Sequence, residues 1–267
     1  MYQGTSNEGM RGIKQIIQEF IADTHLDVRY DVFDVRGDKA DVPGPEYDVF
    51  ISSGGPGSPL DSENSLWERR YFGLMESIKT HNRENPRSRK HVFLICHSFQ
   101  VFCRYYGYGL VSKRRSTSFG VMPSHKTDAG LHDPLLRSLG DPFWVADSRD
   151  YQLTQPDLRK IESGGGAVLC IEKIRPHVNL ERAVMAIRFD EAFFGTQFHP
   201  EADAAGMRMH LLLDDKKELV IGKYGEKKYW EMLEHLNDPD KIMLTYNSII
   251  PRFLMIALQH RFSPVSL

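Results

Sequence analysis

Residues 90–102 read KHVFLICHSFQVF, an apolar run that passes directly into residues able to start a helix, with Cys96 at the joint. Val92, Phe93, Leu94 and Ile95 do not alternate with polar residues. An unbroken apolar run of this length fits a strand covered on both faces, as in a parallel sheet flanked by helices. The stretch therefore predicts a buried strand, a tight turn at Cys96 and a helix behind it.

Working outward, SENSLWERRYFGLMESIKTH (62–81) opens on a Ser/Asn-rich cap region and predicts a helix carrying Leu66, Phe72, Leu74, Met75 and Ile78 inward. Before it, EYDVFISSGGPGSP (46–59) is a strand running into a glycine-proline turn, and LDVRYDVFDV (26–35) alternates as a strand should. EGMRGIKQIIQEFI (8–21) spaces Met10, Ile13, Ile16, Ile17, Phe20 and Ile21 as the inner face of an amphipathic helix. Strands alternating with helices of this length predict parallel βαβ units in a doubly wound sheet.

Downstream, FGVMPS (119–124), PFWVAD (142–147) and AVLCIEKI (167–174) are short strand-like pieces broken by turns, and AVMAIRFD (183–190) and FFGTQF (193–198) close the strand series. From about Ala202 the pattern turns helical, with polar joints at 214–216 and 237–240. Residues 1–205 are expected to form an α/β domain, and residues 206–267 a helical extension packed on or beside it. The apolar residues of that extension, among them Trp230, Met232, Ile249 and Phe253, suit packing on the parent domain, a lid or a homodimer contact.

A chain of 267 residues with 41% hydrophobic side chains can bury a full core. The net charge of −2 gives no overall attraction to nucleic acid or to anionic lipid, and the basic runs RENPRSRK (83–90) and SKRR (112–115) are expected at the surface. The three cysteines, Cys96, Cys103 and Cys170, fit neither a disulfide framework nor a zinc site and suit the reducing cytoplasm. His210, His235 and His260 lie on predicted helices without metal-ligand spacing. No apolar run approaches a membrane span, and no secretory leader is recognisable.

A cysteine between a buried strand and a helix can be a nucleophile elbow, although a lone cysteine at such a place is more commonly structural. A second motif adds chemistry to it. In GTQFHPEAD (195–203) a strand ends in His199-Pro200-Glu201, where the imidazole can take a thiol proton and the carboxylate can hold the tautomer and the imidazolium. SSGGPGSP (52–59) ends another predicted parallel strand, on the sheet edge where doubly wound folds gather their sites, and its glycines let backbone N–H groups approach an oxyanion.

In their order and spacing, GGPG (54–57), LICHSFQ (94–100) and TQFHPE (196–201) resemble the class I (triad) glutamine amidotransferases, whose fold is flavodoxin-like. The resemblance implies Cys96 as nucleophile, His199 as base and Glu201 as orienting carboxylate, with the Gly55 and His97 amides as oxyanion hole and Gln100 in the substrate pocket. It implies hydrolysis of a glutamine or γ-glutamyl amide through a thioester, with no metal or organic cofactor. It further implies ammonia passed to an acceptor on another polypeptide, such as a synthetase. The alternative is a binding or regulatory module that keeps the fold without the catalysis.

Three departures mark this chain. Leu94 and Ser98 stand where the family has glycines around the nucleophile, and Ser148 or Arg149 stands where many relatives hold a histidine near the substrate's amino-acid end. The family's opening strand has no counterpart ahead of YQGTSNEG (2–9), so either the start lies late or the sheet is one strand short.

Overall fold

The computed structural model describes residues 1, 7–37 and 41–259, apart from the His210 side chain; residues 2–6 of YQGTSNEG and His260 lie outside the described residues. In chain order the elements are α1 (Glu8–Thr24), β1 (Val49–Ser52), α2 (Leu66–Glu84), β2 (His91–Ile95), α3 (His97–Tyr106), β3 (Leu110–Lys126) and α4 (Asp128–His132). They continue with β4 (Phe143–Thr154), α5 (Leu158–Ser163), β5 (Ala167–Glu172), β6 (Val184–Arg188) and β7 (Phe193–Thr196). Five helices end the series, α6 (Ala204–Leu211), α7 (Asp214–Tyr224), α8 (Glu226–Asn237), α9 (Ile242–Tyr246) and α10 (Ile249–Ala257).

The strands form one mixed sheet in the order β1-β2-β7-β6-β5-β3-β4, flanked by helices as the flavodoxin-like class requires. β1, β2 and β7 run parallel, and the remaining neighbours pair antiparallel. The parallel part carries the candidate site. Its central strand is fully buried from Val92 to Ile95, which explains the unbroken apolar run. Leu94 packs with Phe72, Phe99 and Phe102 on the α2–α3 side. Phe93 and Ile95 face α1 and α10, where the Phe93 and Phe253 rings meet edge to face at 5.1 Å. Each such side chain contributes about 1.5–3 kcal/mol of burial. The C-terminal helices therefore split in use: α10 completes the main core, while α6–α8 close a smaller one over Val121 of β3.

Several expectations need correction. Residues 26–35 form no strand: Phe33 and Val35 pack into the core cluster that holds Phe50, and Tyr47 donates to Asp31 at 2.7 Å, but no ladder to β1 forms. Leu66, expected inward, is 54% exposed because it starts the first turn of α2 ahead of the buried stripe. The joint expected at 214–216 lies inside α7; the breaks fall at 212–213 and at Gly225, whose φ of +86° suits a residue without Cβ. Trp230 is exposed instead of packed, its ring edge-on to Tyr229 and its Nε1–H donating to Glu226 at 3.3 Å.

Two charges expected at the surface are also buried. Lys90 keeps its ammonium satisfied on the Tyr47 carbonyl at 2.9 Å, and Arg114 reaches inward to Glu172 at 2.8 Å. Buried charges persist where they are paired.

Candidate active site

The elbow is built by the backbone first. β2 ends at Ile95, α3 begins at His97, and Cys96 between them has φ +49° and ψ −98°. A side chain at positive φ costs on the order of 1–3 kcal/mol, so neighbours must hold it. The Cys96 N–H donates to Thr196 O of β7 at 2.8 Å, and Cys96 O accepts from Gln100 N–H at 2.9 Å.

Ser98 supplies a second lock. Its hydroxyl accepts from the Ile95 N–H at 2.9 Å and donates to Ser52 O of β1 at 2.6 Å, so one side chain ties the elbow to two strands. Leu94 pairs across the ladder with Gly195, where an added Cβ would come within 2.6 Å of the Phe99 ring and 3.3 Å of Leu94 Cβ. The bare Gly195 thus leaves room for Leu94 and Phe99 beneath the turn.

β7 delivers the histidine. The His199 N–H donates to Ala146 O of β4 at 2.9 Å, which fixes the backbone beyond the strand end. His199 Nδ1 meets Glu201 Oε1 at 2.8 Å; the carboxylate can only accept, so Nδ1 carries the proton and Nε2 is left for the Cys96 sulfur. Burial disfavours a charged His199, but the Glu201 charge, the Cys96 thiolate and hydrogen bonds to both outweigh it and push its pKa well up. Cys96, His199 and Glu201 therefore stand as one connected unit, with the His199 side chain 16% exposed and Glu201 almost fully buried.

Helix α1 sets the depth of Glu201. A Cβ placed at Gly12 would fall onto the Glu201 carbonyl oxygen, so the helix can lie this close only with glycine there. Sequence reasoning missed Gly12, although a glycine inside an amphipathic helix is itself a signal, costing about 1 kcal/mol against alanine.

The other expected site residues fall in different places. The Gly55 and His97 N–H groups donate to no protein acceptor among the described residues. The His97 ring is buried with Nε2 unpaired; burial, then the Arg36 charge, push its pKa down to about 3, so it is neutral. The Gln100 side-chain amide donates to Tyr151 O at 3.2 Å, and Ser148 O lies 4.0 Å from Cys96 Sγ while the Ser148 side chain is exposed. The Arg149 guanidinium is buried, bound to Asp147 at 2.8 Å and Glu172 at 3.1 Å, in a network that Arg114 completes. Structure thus gathers Cys96, His199, Glu201 and the Ser148 carbonyl, and sets the Arg149 charge inside an ion network.

A family described as glutamine amidotransferase class-I has a model that matches residues 11–218. No curated protein sequence matches the chain. Among solved structures, a glutamine amidotransferase from Thermotoga maritima superposes with a TM-score of 0.66 at 14% identity, over 91% of this chain and 92% of that one. A glutamine amidotransferase from Methylobacillus flagellatus gives 0.62 at 17% identity, over 91% and 88%. The glutaminase domain of Trypanosoma brucei CTPS, with acivicin bound, gives 0.56 at 11% identity, over 97% and 91%. At these identities the likeness to solved structures is one of fold.

Proposed function

The chain belongs to the glutamine amidotransferase class-I family, and from that premise we propose that it hydrolyses a glutamine or γ-glutamyl side-chain amide with Cys96 as nucleophile. The observation that carries the reading is the 2.8 Å bond from His199 to Glu201, with His199 linked in turn to Cys96 on its strained elbow. An imidazole whose Nδ1–H is held by a carboxylate has Nε2 free to exchange a proton with the thiol.

The Cys96 thiolate attacks the amide carbon, and the carbonyl oxygen becomes an oxyanion facing the Gly55 and His97 N–H groups. The C–N bond then breaks, His199 gives its proton to the leaving nitrogen, and ammonia departs from a γ-glutamyl thioester. Water attacks the thioester as His199 takes its proton; glutamate is released and the thiolate restored. Gln100 lines the substrate pocket, and Ser148 and Arg149 shape the end that holds the substrate's amino-acid group. The ammonia acceptor is a synthetase-type partner on another polypeptide. The three cysteines are free, as suits a reducing compartment, and a cytoplasmic site of action is the reading we favour.

Incubation with glutamine and a panel of γ-glutamyl amides, following ammonia, tests the proposal. Turnover in the wild type, a thioester mass on Cys96, and no turnover in Cys96→Ser are expected. Absence of ammonia from every amide, with Cys96 still open to alkylation, would leave the non-catalytic binding module.

A further inference from the structure

The GGPG turn has little of its own to hold it. Three glycines broaden its backbone freedom, and Gly57 sits at φ +91°. Among the described residues one hydrogen bond reaches a carbonyl of residues 54–57 from outside the β1 strand and its turn, and it comes from Arg36.

Arg36 follows the 26–35 segment, which forms no strand, so the sheet ladder does not place it. Its Nη1 donates to Pro56 O at 2.8 Å and to Met1 O at 3.1 Å. The guanidinium lies over the Trp67 ring at 5.4 Å from the centroid, at the start of α2. A Cβ at Gly55 would stand 3.2 Å from Nη1, and one at Gly57 3.6 Å from Nη2, so the guanidinium lies beside both glycines. Its Nε is buried without a partner, a cost that a loosely placed surface arginine would avoid by turning to water. Lysine has the charge but not the planar group that can stack on Trp67 while donating to these carbonyls.

We infer that Arg36 is a positioning residue: its guanidinium holds the GGPG turn so that the Gly55 N–H stays aimed at the oxygen of the amide under attack. The inference rests on the hydrolase reading. The same charge also acts on the buried His97 ring, next to the other proposed donor. A donor displaced by about 1 Å can cost on the order of a hundredfold in rate, while substrate binding elsewhere in the pocket is untouched.

Arg36→Met and Arg36→Lys test this in the full chain by three readouts: steady-state ammonia release, the rate of Cys96 alkylation by iodoacetamide, and hydrogen exchange at Gly55. Alkylation forms no oxyanion and reports the thiolate alone. For Arg36→Met we expect kcat lower by roughly ten- to a hundredfold, KM within about threefold, alkylation unchanged and faster Gly55 exchange, with Arg36→Lys recovering part of kcat. Unchanged kcat, or kcat and alkylation falling together, overturns the inference. If the wild type releases no ammonia, the hydrolase reading has failed instead. Gly55 exchange then decides Arg36 by itself: faster exchange in the variant upholds its hold on the turn, and unchanged exchange refutes it. Should Arg36→Met not fold, Arg36→Lys is judged by the same readouts, with partial loss of kcat at unchanged alkylation expected.

Discussion

Gly12 of α1 lies directly against the backbone carbonyl of Glu201, close enough that any larger residue must move the helix or the Glu201 backbone. Glu201 is two residues beyond His199 and holds its Nδ1, so a shift there reaches the imidazole within one hydrogen bond. Alanine at position 12 gains about 1 kcal/mol of helix propensity and loses about 1–3 kcal/mol to overpacking. Gly12→Ala is therefore expected to change the melting temperature by only a few degrees yet lower kcat at least tenfold. Wild-type turnover would show that α1 can slide without disturbing Glu201.

The Ser98 hydroxyl is predicted to be worth more than the glycine its family keeps there. Removing it leaves the buried Ile95 N–H without its 2.9 Å acceptor and Ser52 O without its 2.6 Å donor. An orphaned buried group costs about 1–3 kcal/mol. Both Ser98→Ala and Ser98→Gly should lose stability in that range by denaturant unfolding, the glycine variant slightly more because it also loosens the first turn of α3. A glycine variant as stable as wild type would mean that the elbow relaxes around the missing hydroxyl.

Arg149 offers a way to separate a structural role from a substrate role. Its guanidinium binds Asp147 and Glu172 inside the protein, and Asp147 also accepts from Ser118 at 2.6 Å. Removing the guanidinium leaves the buried Asp147 carboxylate without its charge partner, at a cost of roughly 3–5 kcal/mol, while Glu172 keeps Arg114 and Arg175. Arg149→Met should lower stability by about that amount. If instead the variant folds normally and only KM rises, Arg149 contacts substrate directly.

Much of this was legible in the sequence for identifiable reasons. The apolar run 92–95 announces a strand buried on both faces because both faces are in fact covered, and the residues on either side of Cys96 place the turn. What pattern could not supply was distance between segments. LDVRYDVFDV alternates as well as any strand, but alternation says nothing of whether a ladder neighbour is available, and here 26–35 joins no ladder. The 17 residues of β3 were seen only as a fragment, because polar SKRRSTS hides a strand that bulges between Lys113 and Ser118. Lys90, Arg114 and Arg149 look solvated in a linear reading, since their burial depends on partners 23 to 58 residues away in the chain, such as Tyr47 for Lys90, Glu172 for Arg114 and Glu172 again for Arg149. Gly12 and Arg36 act through close approach to Glu201 and Pro56, which sequence spacing does not record.

The three cysteines should separate by reactivity. Cys103 and Cys170 are fully enclosed, and burial raises both thiols far above their ordinary range. Cys96 stands at the N-terminus of α3 beside His199. Limiting iodoacetamide on the native protein is expected to modify Cys96 alone, as read by peptide mass spectrometry, and His199→Gln should slow that modification. Equal labelling of Cys103 would mean that the core opens on the timescale of the reaction.

The raised pKa of His199 fixes a sign for the pH dependence of stability. An unfolded histidine titrates near 6.5, and in the fold the Glu201 and Cys96 charges hold the imidazolium to a higher pH despite burial. The folded state therefore binds the proton more tightly. Its contribution is fully present below about pH 6.5 and fades as pH rises through the folded-state value. Melting temperatures of the wild type and His199→Gln, compared across pH, should differ most on the acid side and converge on the alkaline side. Glu201→Gln removes the larger of the two favourable charges while keeping an acceptor for Nδ1, so it should bring the His199 titration down and narrow that window. The Hε1 resonance of His199, followed by NMR, reads the shift directly. A His199 that titrates at or below 6.5 in the wild type would mean that burial outweighs both partners, and the imidazole would then enter catalysis neutral.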